Sequence, residues 1–358
     1  MITGTYTTGK SDGIYLGKFD LGTGNYASIS SVKGIKNPSF LCFGKNRQYV
    51  YAVSEANGGG NGGKVFAYAF DMVAGQLKKI NEQPSGGDDP CHLSVDGTGK
   101  WLAVGNYSSG SLSVLPIAGD GSLGTATDHI VHQGQGADKT RQEAPHVHET
   151  VFSADNRFLY VPDLGLDRVY IYAFDARKGK LKPAKQPFVQ LKPATGPRHI
   201  LFHPTMHVAY VLNELNGSVN AYRVDVKTGS LTETGSWPTL PKGASGPAGC
   251  AELQFSMDKH FLYCSNRYEE NSLAIYAIDG ESGALRPVDF PSVLGRHPRY
   301  FTFDPSGEWL LVANKDTDEI VLFRVDEKTG MIKDSGKRIP IPSPVCMLFT
   351  VRPPKVVN

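Results

Sequence analysis

The chain has 358 residues, of which 40% are hydrophobic and 20% are charged, as in a protein that buries a substantial core. Its 40 glycines and 23 prolines, together with 16 tyrosines and 17 phenylalanines, favour many short strands over long helices. The formal charge of +2 excludes a strongly basic surface for nucleic acid or an anionic membrane, and no apolar run is long enough to span a bilayer.

One short motif recurs seven times along the chain. It consists of an extended apolar segment, an aspartate at or soon after its end, and a glycine a few residues later that leucine usually follows. Turn residues between two apolar segments indicate strands joined by a tight turn. The seven copies begin at Gly13, Lys64, Ser111, Arg168, Ser218, Ser272 and Glu319.

A second motif alternates with the first. A proline opens a short strand, a polar turn follows, and a second apolar strand ends on a polar residue. The seven opening prolines are Pro38, Pro90, Pro145, Pro197, Pro247, Pro298 and Pro344. The copy that begins at Pro344 lacks its second strand, and residues 2–6 at the other end of the sequence match the missing strand.

The two motifs together supply four antiparallel strands per repeat. Such a sheet cannot bury both of its faces alone, so the repeats must pack against each other around an axis. Seven repeats predict an all-β fold, a seven-bladed β-propeller of four-stranded antiparallel blades, closed by one blade that both ends of the chain share. We expect residues 1–358 to form a single propeller domain, because no linker or low-complexity tract interrupts the repeats.

Residues at two points of each repeat should gather on one face around the central channel. These are the residues just after the proline and those that end the second strand, because consecutive strands run antiparallel. The first set contains His92, His146, His148, Arg198, His199 and Arg299, and the second contains Glu55, Asn106, Tyr107, Asp163, Glu214, Arg267 and Lys315. Arg198, Glu214 and Arg267 replace the asparagine or apolar residues of other repeats, which indicates function. Structural ion pairing at the rim is the alternative.

A long segment, residues 132–145, leads into the third repeat and should emerge on the same face, where it would form a lid or wall. Arg141 and Glu143 are its candidate site residues, and solvated loop charges are the alternative. His146 and His148 share a strand face, but no third ligand at a matching spacing accompanies them. We therefore expect no metal and no cofactor.

Several of these stretches also occur together in one known family. They are Asp-Pro-Cys-His-Leu at 89–93, Arg-Gln-Glu-Ala-Pro-His-Val-His at 141–148, Val-Pro-Asp-Leu-Gly-Leu-Asp-Arg-Val at 161–169, Gly-Pro-Arg-His at 196–199, Tyr-Val-Leu-Asn-Glu-Leu at 210–215 and Ser-Asn-Arg at 265–267. The chain resembles the seven-bladed propeller lactonase family of bacterial 6-phosphogluconolactonases and related fungal carboxymuconate lactonizing enzymes. One departure is the glycine-rich, irregular segment 245–252, which leaves open what the fifth blade contributes to the site.

The resemblance implies a hydrolase that opens a sugar δ-lactone, most simply 6-phosphogluconolactone. The catalytic residues that it implies are His148, Arg198, Glu214 and Arg267, and the other rim residues expected to bind substrate are His92, His146, Asp163, His199, Arg299, Glu55, Tyr107 and Arg141. Glu214 or His148 can act as general base, and Arg198 and Arg267 can hold an oxyanion or an anionic group of the substrate. A lactonizing cycloisomerase and a non-catalytic ligand- or protein-binding propeller are the alternatives.

The expected partner is a small, anionic sugar lactone, with no nucleic acid and no membrane, and the expected oligomeric state is a monomer or a weak homo-oligomer. A strand-like segment follows Met1 directly, so we expect a cytoplasmic protein, although an exported protein whose leader has been removed would begin in the same way. The five cysteines are an odd number without a Cys-x-x-Cys pair, so we expect reduced, buried thiols.

Overall fold

The computed structural model describes residues 1–60, 62–244 and 246–350, and its strands form seven four-stranded antiparallel sheets. The first fourteen strands are β1 (Ile2–Thr5), β2 (Ile14–Phe19), β3 (Tyr26–Val32), β4 (Leu41–Phe43), β5 (Tyr49–Ser54), β6 (Lys64–Asp71), β7 (Gln76–Pro84), β8 (Pro90–Val95), β9 (Trp101–Asn106), β10 (Ser111–Pro116), β11 (Asp128–Val131), β12 (Val151–Phe152), β13 (Phe158–Asp163) and β14 (Arg168–Asp175).

The other strands follow in chain order, β15 (Lys180–Gln190), β16 (Pro197–Phe202), β17 (Val208–Asn213), β18 (Ser218–Val224), β19 (Leu231–Pro238), β20 (Cys250–Phe255), β21 (Phe261–Asn266), β22 (Ser272–Ile278), β23 (Leu285–Asp289), β24 (Pro298–Phe303), β25 (Trp309–Asn314), β26 (Glu319–Val325), β27 (Ile332–Pro340) and β28 (Pro344–Leu348). Two single turns of 3-10 helix span Leu164–Leu166 and Lys315–Thr317. Among the described residues, no helix is long and apolar enough to cross a membrane.

The sheets are the blades of a ring. Blades 1 to 6 are β4–β7, β8–β11, β12–β15, β16–β19, β20–β23 and β24–β27, and blade 7 is β28 followed by β1, β2 and β3. The first strand of each blade lies at the channel, and β28 contacts both β24 and β4, which closes the ring. The predicted seven-bladed propeller, with one blade shared by the two ends of the chain, is confirmed.

The second strands explain the continuous apolar runs of the sequence. Every residue of β13, β17, β21 and β25 is buried, because each of these strands packs against the neighbouring blade on both sides. The outermost strands, such as β19, place many residues in solvent instead. Core clusters accordingly form between adjacent blades rather than within one blade.

The aspartate–glycine motif forms the turn between the third and fourth strands. In blade 4, Asp225 accepts a hydrogen bond from the backbone N–H of Lys227, and Gly229 has a φ of 73° that favours glycine. A Cβ at Gly229 would lie 2.7 Å from the ring of Phe158 in blade 3. The turn therefore also fits closely against the preceding blade, where the hydroxyl of Tyr160 donates to the Gly229 carbonyl at 2.9 Å.

The proline that opens an inner strand is followed by a β-bulge. In β16, Pro197 pairs with Asn213 and His199 pairs with Leu212, so that Arg198 bulges between them. A bulge changes the direction in which a side chain points, and it is common beside active sites. The equivalent bulged residues of blades 2, 6 and 7 are Cys91, Arg299 and Val345.

Candidate active site

Glu214 is the centre of an ion cluster at the mouth of the channel. It follows β17 and is buried, with only 3% of its surface exposed. Its Oε2 lies 2.8 Å from Nη2 of Arg267 and 3.2 Å from Nε of Arg198, and its Oε1 lies 2.6 Å from Nη2 of Arg141. Three arginines from different parts of the chain thus converge on one carboxylate.

The protonation of this cluster follows from burial and charge together. Burial alone would raise the pKa of Glu214, but Arg267, Arg198 and Arg141 outweigh it and lower that pKa to about 2. Burial, followed by repulsion from Arg299 and Arg267, lowers the pKa of Arg198 to about 10. Glu214 is therefore a carboxylate, and Arg198 is a cation, throughout the neutral range.

Arg198 has unused hydrogen-bonding capacity. Its Nη1 donates to the carbonyl of Ala251 and lies 3.0 Å from Nε2 of His199. The Nε of Arg198 lies 3.2 Å from Oε2 of Glu214, but the direction of its N–H does not suit a hydrogen bond to that oxygen. Among the described residues, no other group accepts a hydrogen bond from this N–H. Since an unpaired buried donor is costly, this N–H is suited to a group that arrives with the substrate.

The irregular start of blade 5 holds Arg267 in place. Nε of Arg267 donates to the Gly249 carbonyl at 2.7 Å, and its Nη2 donates to the Cys250 carbonyl at 3.3 Å. Gly249 has a φ of 57°, and a Cβ there would lie 2.1 Å from the ring of Tyr268. The glycine-rich segment thus presents backbone carbonyls that hold Arg267 beside Glu214.

Three histidine side chains and a tyrosine line the same mouth. The ring of His148 lies 5.4 Å from that of His199 and 5.6 Å from that of Tyr107, and Tyr107 stacks on His146 at 4.4 Å. Burial, followed by Arg198 and His199, lowers the pKa of His148 well below its usual 6.5. The thiol of Cys91 lies 4.0 Å from Nδ1 of His148, and burial raises the pKa of that thiol. His148 and Cys91 are therefore a neutral imidazole beside a neutral thiol.

Two acid–imidazole pairs lie deeper in the channel. Oε1 of Glu149 is 3.4 Å from Nε2 of His92, and Oε1 of Glu252 is 3.7 Å from Nδ1 of His199. A guanidinium only donates, so Nε2 of His199 accepts from Arg198 and its proton is on Nδ1, towards Glu252. Burial raises the pKa of Glu252 to about 8 and raises that of Glu149 well above its usual value.

Sequence reasoning missed both of these acids. Glu252 lies inside the inner strand β20, and Glu149 lies directly after His148, two residues before β12, so neither was among the rim positions from which the candidate residues were taken. A glutamate within an otherwise apolar inner strand, as in Cys-Ala-Glu-Leu at 250–253, is the signal that could have identified them.

Glu55 and Arg299 form a second charged group across the mouth. Glu55 accepts hydrogen bonds from the Tyr6 hydroxyl at 2.9 and 3.0 Å and from the Ser39 hydroxyl. The guanidinium of Arg299 is 3.9 Å from Glu55 and lies over the ring of Tyr6, 5.5 Å from its centroid.

Asp163 has the contacts of a structural residue rather than of a substrate ligand. It is completely buried, and Oδ1 accepts from the backbone N–H groups of His146 and Leu166 at 2.8 and 3.2 Å. Its Oδ2 lies 2.6 Å from Nδ1 of His132. Asp163 therefore caps the 3-10 turn at Leu164–Leu166 and anchors the long loop, and we do not retain it as a substrate-binding residue.

The long loop reaches the site through Arg141. Beyond its contact with Glu214, Arg141 is 3.4 Å from the Tyr107 hydroxyl and remains partly exposed. Glu143 lies 3.3 Å from His146, with more than half of its side chain in solvent. An open crevice beside Glu214 is lined by Asp138, Arg141, Leu215, Pro247 and Tyr268. Within the described ranges, no three His, Cys, Asp or Glu side chains are placed to hold a metal ion.

Comparison with known proteins agrees with this architecture. The family model described as "Lactonase, 7-bladed beta-propeller" matches residues 1–349. The chain belongs to this family. This propeller lactonase is 36% identical over 337 residues to a 6-phosphogluconolactonase of Formosa agariphila, a match that covers 93% of this chain and 94% of the relative.

Two further relatives of this propeller lactonase are similar over nearly their whole length. A 6-phosphogluconolactonase of Bacillus subtilis is 34% identical over 348 residues, which is 97% of each chain. The solved structure of a periplasmic gluconolactonase of Pseudomonas aeruginosa superimposes with a TM-score of 0.90 at 34% identity, over 96% of each chain.

Proposed function

We propose that this propeller lactonase hydrolyses 6-phosphogluconolactone to 6-phosphogluconate at the mouth of the channel. The observation that carries the proposal is the arrangement there, in which one carboxylate holds three guanidinium groups beside a neutral, buried imidazole. The relatives from Formosa agariphila and Bacillus subtilis, both named 6-phosphogluconolactonase, support the choice of substrate.

His148 is the better general base of the two residues that the sequence left open. Both oxygens of Glu214 are engaged by arginines and its pKa of about 2 gives it little affinity for a proton. Burial and the neighbouring cations lower the pKa of His148 as well, but its ring makes no ion pair among the described residues, so a nitrogen lone pair is available to take a proton from water. In this proposal, Glu214 is a positioning residue, because it fixes the arginines around the reacting carbonyl.

The arginines stabilise the charge that develops on the lactone carbonyl oxygen. Water attacks C1 while His148 takes one of its protons, and the negative charge passes to the carbonyl oxygen. In this proposal, the unpaired N–H on Nε of Arg198 donates to this oxyanion, and Arg267 adds a second cation beside it. The C1–ring oxygen bond then breaks, and the imidazolium returns the proton to the leaving ring oxygen, so that lactone and water become the hydroxy acid.

Hydrolysis assays test the activity directly. Purified protein is expected to accelerate opening of 6-phosphogluconolactone above the spontaneous rate, and glucono-δ-lactone and a muconate cyclisation assay are run beside it. Cyclisation without hydrolysis would replace the proposal with a lactonizing activity. No turnover in any assay would leave the non-catalytic binding propeller.

Variants in blade 4 test the site. Arg198→Ala and Glu214→Gln should each lower kcat/KM on the order of 10²-fold or more, the usual effect of losing a charge stabiliser or its support. The controls make the same substitutions at exposed positions of the same blade, Arg223→Ala in β18 and Glu233→Gln in β19. Near-wild-type rates in both site variants, with all four proteins folded by circular dichroism, would place catalysis elsewhere.

A further inference from the structure

Blade 6 differs in charge from blade 4 at equivalent positions of the repeat. The bulge that presents Arg198 in β16 presents Arg299 in β24. The residue that follows the second strand is Glu214 in blade 4, whereas it is Lys315 in blade 6. At these two positions, blade 4 therefore supplies a cation together with the carboxylate that neutralises it, whereas blade 6 supplies two cations.

Arg299 lacks the close partner that Arg198 has. The carboxylate of Glu55 is 3.9 Å away, and hydroxyl groups of Tyr6 and Ser39 already donate to it. Within the part of the chain that the structure describes, no side-chain hydrogen bond is made by Arg299. The guanidinium of Arg299 at the channel mouth thus keeps N–H donors for a ligand.

Lys315 completes the group. Its ammonium lies 5.8 Å from the centroid of the Tyr6 ring, the same ring over which Arg299 lies at 5.5 Å. One contact of Lys315 goes to Asp316 at 2.8 Å, and that carboxylate is 44% exposed. The side chains of Arg299 and Lys315 are 13% and 28% exposed, so a molecule in the mouth can reach both.

Arg299 lies on the same channel wall as the proposed catalytic arginines. It bulges from β24 as Arg198 bulges from β16, and both of these inner strands contact β20. In 6-phosphogluconolactone the reacting carbonyl is C1 and the phosphate is on C6, so the two groups need separate contacts. The positive charges around Glu214 are already paired with that carboxylate at 2.6 to 3.2 Å, whereas the carboxylate facing Arg299 is 3.9 Å away, so blade 6 is the side whose guanidinium charge is less neutralised.

We propose that Arg299 and Lys315, beside Tyr6, form the subsite that binds the phosphate of the substrate. This inference rests on the proposed lactonase function, and it names the group that blade 6 recognises. A planar guanidinium can donate two parallel hydrogen bonds to phosphate oxygens, and an ammonium adds a point charge. The subsite thereby selects a phosphorylated lactone over an unphosphorylated one.

The experiment compares two lactones in each variant. Arg299→Gln should lower kcat/KM for 6-phosphogluconolactone by about 30- to 100-fold, the effect of losing hydrogen bonds to a charged group. Its kcat/KM for glucono-δ-lactone should fall about tenfold less, because that substrate has no phosphate whose contacts are lost. Lys315→Gln, at a more exposed position, should show the same selectivity with a smaller loss. The matched controls are Arg286→Gln in β23 and Lys333→Gln in β27, which remove the same kinds of charge from exposed positions of outermost strands.

The outcomes separate the subsite from the catalytic proposal. Equal losses on both lactones, or wild-type protein that prefers the unphosphorylated lactone, would overturn the subsite while leaving the lactonase activity intact. No hydrolysis of either lactone by the wild type would overturn the proposed function. The subsite can then still be tested by measuring the binding of 6-phosphogluconate with calorimetry. If the subsite is real, Arg299→Gln binds this ligand more weakly than the wild type, and Arg286→Gln binds it equally well.

Discussion

At the scale of single residues, the channel contains carboxyl groups with opposite protonation. Glu214 is ionised because three guanidinium groups surround it, whereas Glu252 is buried with less compensation and its pKa rises to about 8. The ionisable groups that face Glu252 include His199, Arg198, Arg299 and Glu149. The same residue type therefore serves as a fixed anion in one place and as a neutral acid in another.

Glu252 should make the protein less stable as the pH rises from 7 to 8. The unfolded chain releases this proton near the usual pKa of 4.5, whereas the folded protein keeps it up to about pH 8, so the free energy of unfolding falls with increasing pH between these values. The buried histidines oppose this slope only below about pH 6.5, where the unfolded chain binds protons that the folded one does not.

Glu252→Gln is therefore expected to flatten this slope. In urea titrations, the free energy of unfolding of the wild type should be lower at pH 8 than at pH 7. The decrease in the variant should be smaller by about 1 kcal/mol, because one proton can change this free energy by at most about 1.4 kcal/mol per pH unit. Glu149 still contributes a slope of the same sign, so the flattening is partial. Glu233→Gln on the outer strand is the control and should keep the wild-type slope. Identical slopes in all three proteins would contradict a neutral Glu252.

At the scale of elements, the sequence predicted at which end of a strand a site residue lies better than it predicted the direction in which its side chain points. The opening prolines and the ends of second strands correctly placed Arg198 and Glu214 at one rim, because antiparallel strands alternate in a fixed way. The bulge that turns Arg198 into the mouth depends on strand register, which the repeat pattern does not encode. The same limitation explains why the sequence could not distinguish the two roles open to Asp163. A carboxylate at a strand end can face the channel mouth or cap a turn, and only packing decides between these two orientations.

The long loop before blade 3 depends on one buried amide. Gln142 is completely buried, and its Nε2 donates to the Leu164 carbonyl at 2.8 Å and to Asp167 at 2.7 Å. Its Oε1 accepts from the backbone N–H of Asp138 at 2.9 Å. The neighbouring Arg141 is thereby held against Glu214, which gives an exposed loop a defined conformation at the site.

A double-mutant cycle tests this dependence. Arg141→Ala should lower kcat/KM about tenfold or more, the scale of one charge-assisted hydrogen bond. Gln142→Ala should lower it to a similar extent, and the double variant should lose little more than Arg141→Ala, because Gln142 acts through Arg141. Lys139→Ala, exposed in the same loop, is the control and should match the wild type. Fully additive losses in folded proteins would show that Gln142 affects the site by another route.

At the scale of the whole molecule, stability depends on how the blades meet. Tyrosine hydroxyls of second strands repeat one contact around the ring, since Tyr210 donates to the Gly283 carbonyl at 2.8 Å and Tyr263 donates to that of Gly330, each in the next blade. Blade 7 is the exception in connectivity, because β1 is held between β28 and β2 and joins the two ends of the chain. We propose that the ring folds as a single domain, with blade 7 as the step that closes it.

Gly4 in β1 is a position at which this closure leaves no room for a side chain. A Cβ there would lie 2.3 Å from the Pro38 carbonyl oxygen and 3.2 Å from the Leu41 side chain, so Gly4→Ala forces β1 away from blade 1. The free energy of unfolding, measured by urea titration, should fall by about 2 kcal/mol or more, as expected for overpacking against a backbone that cannot move aside. Gly9→Ala is the matched control, since no atom lies within 4 Å of its Cβ position, and it should stay within about 0.5 kcal/mol of the wild type. Equal stabilities of the two variants would show that blade 7 tolerates displacement of β1, and that the closing blade is not where the ring is most constrained.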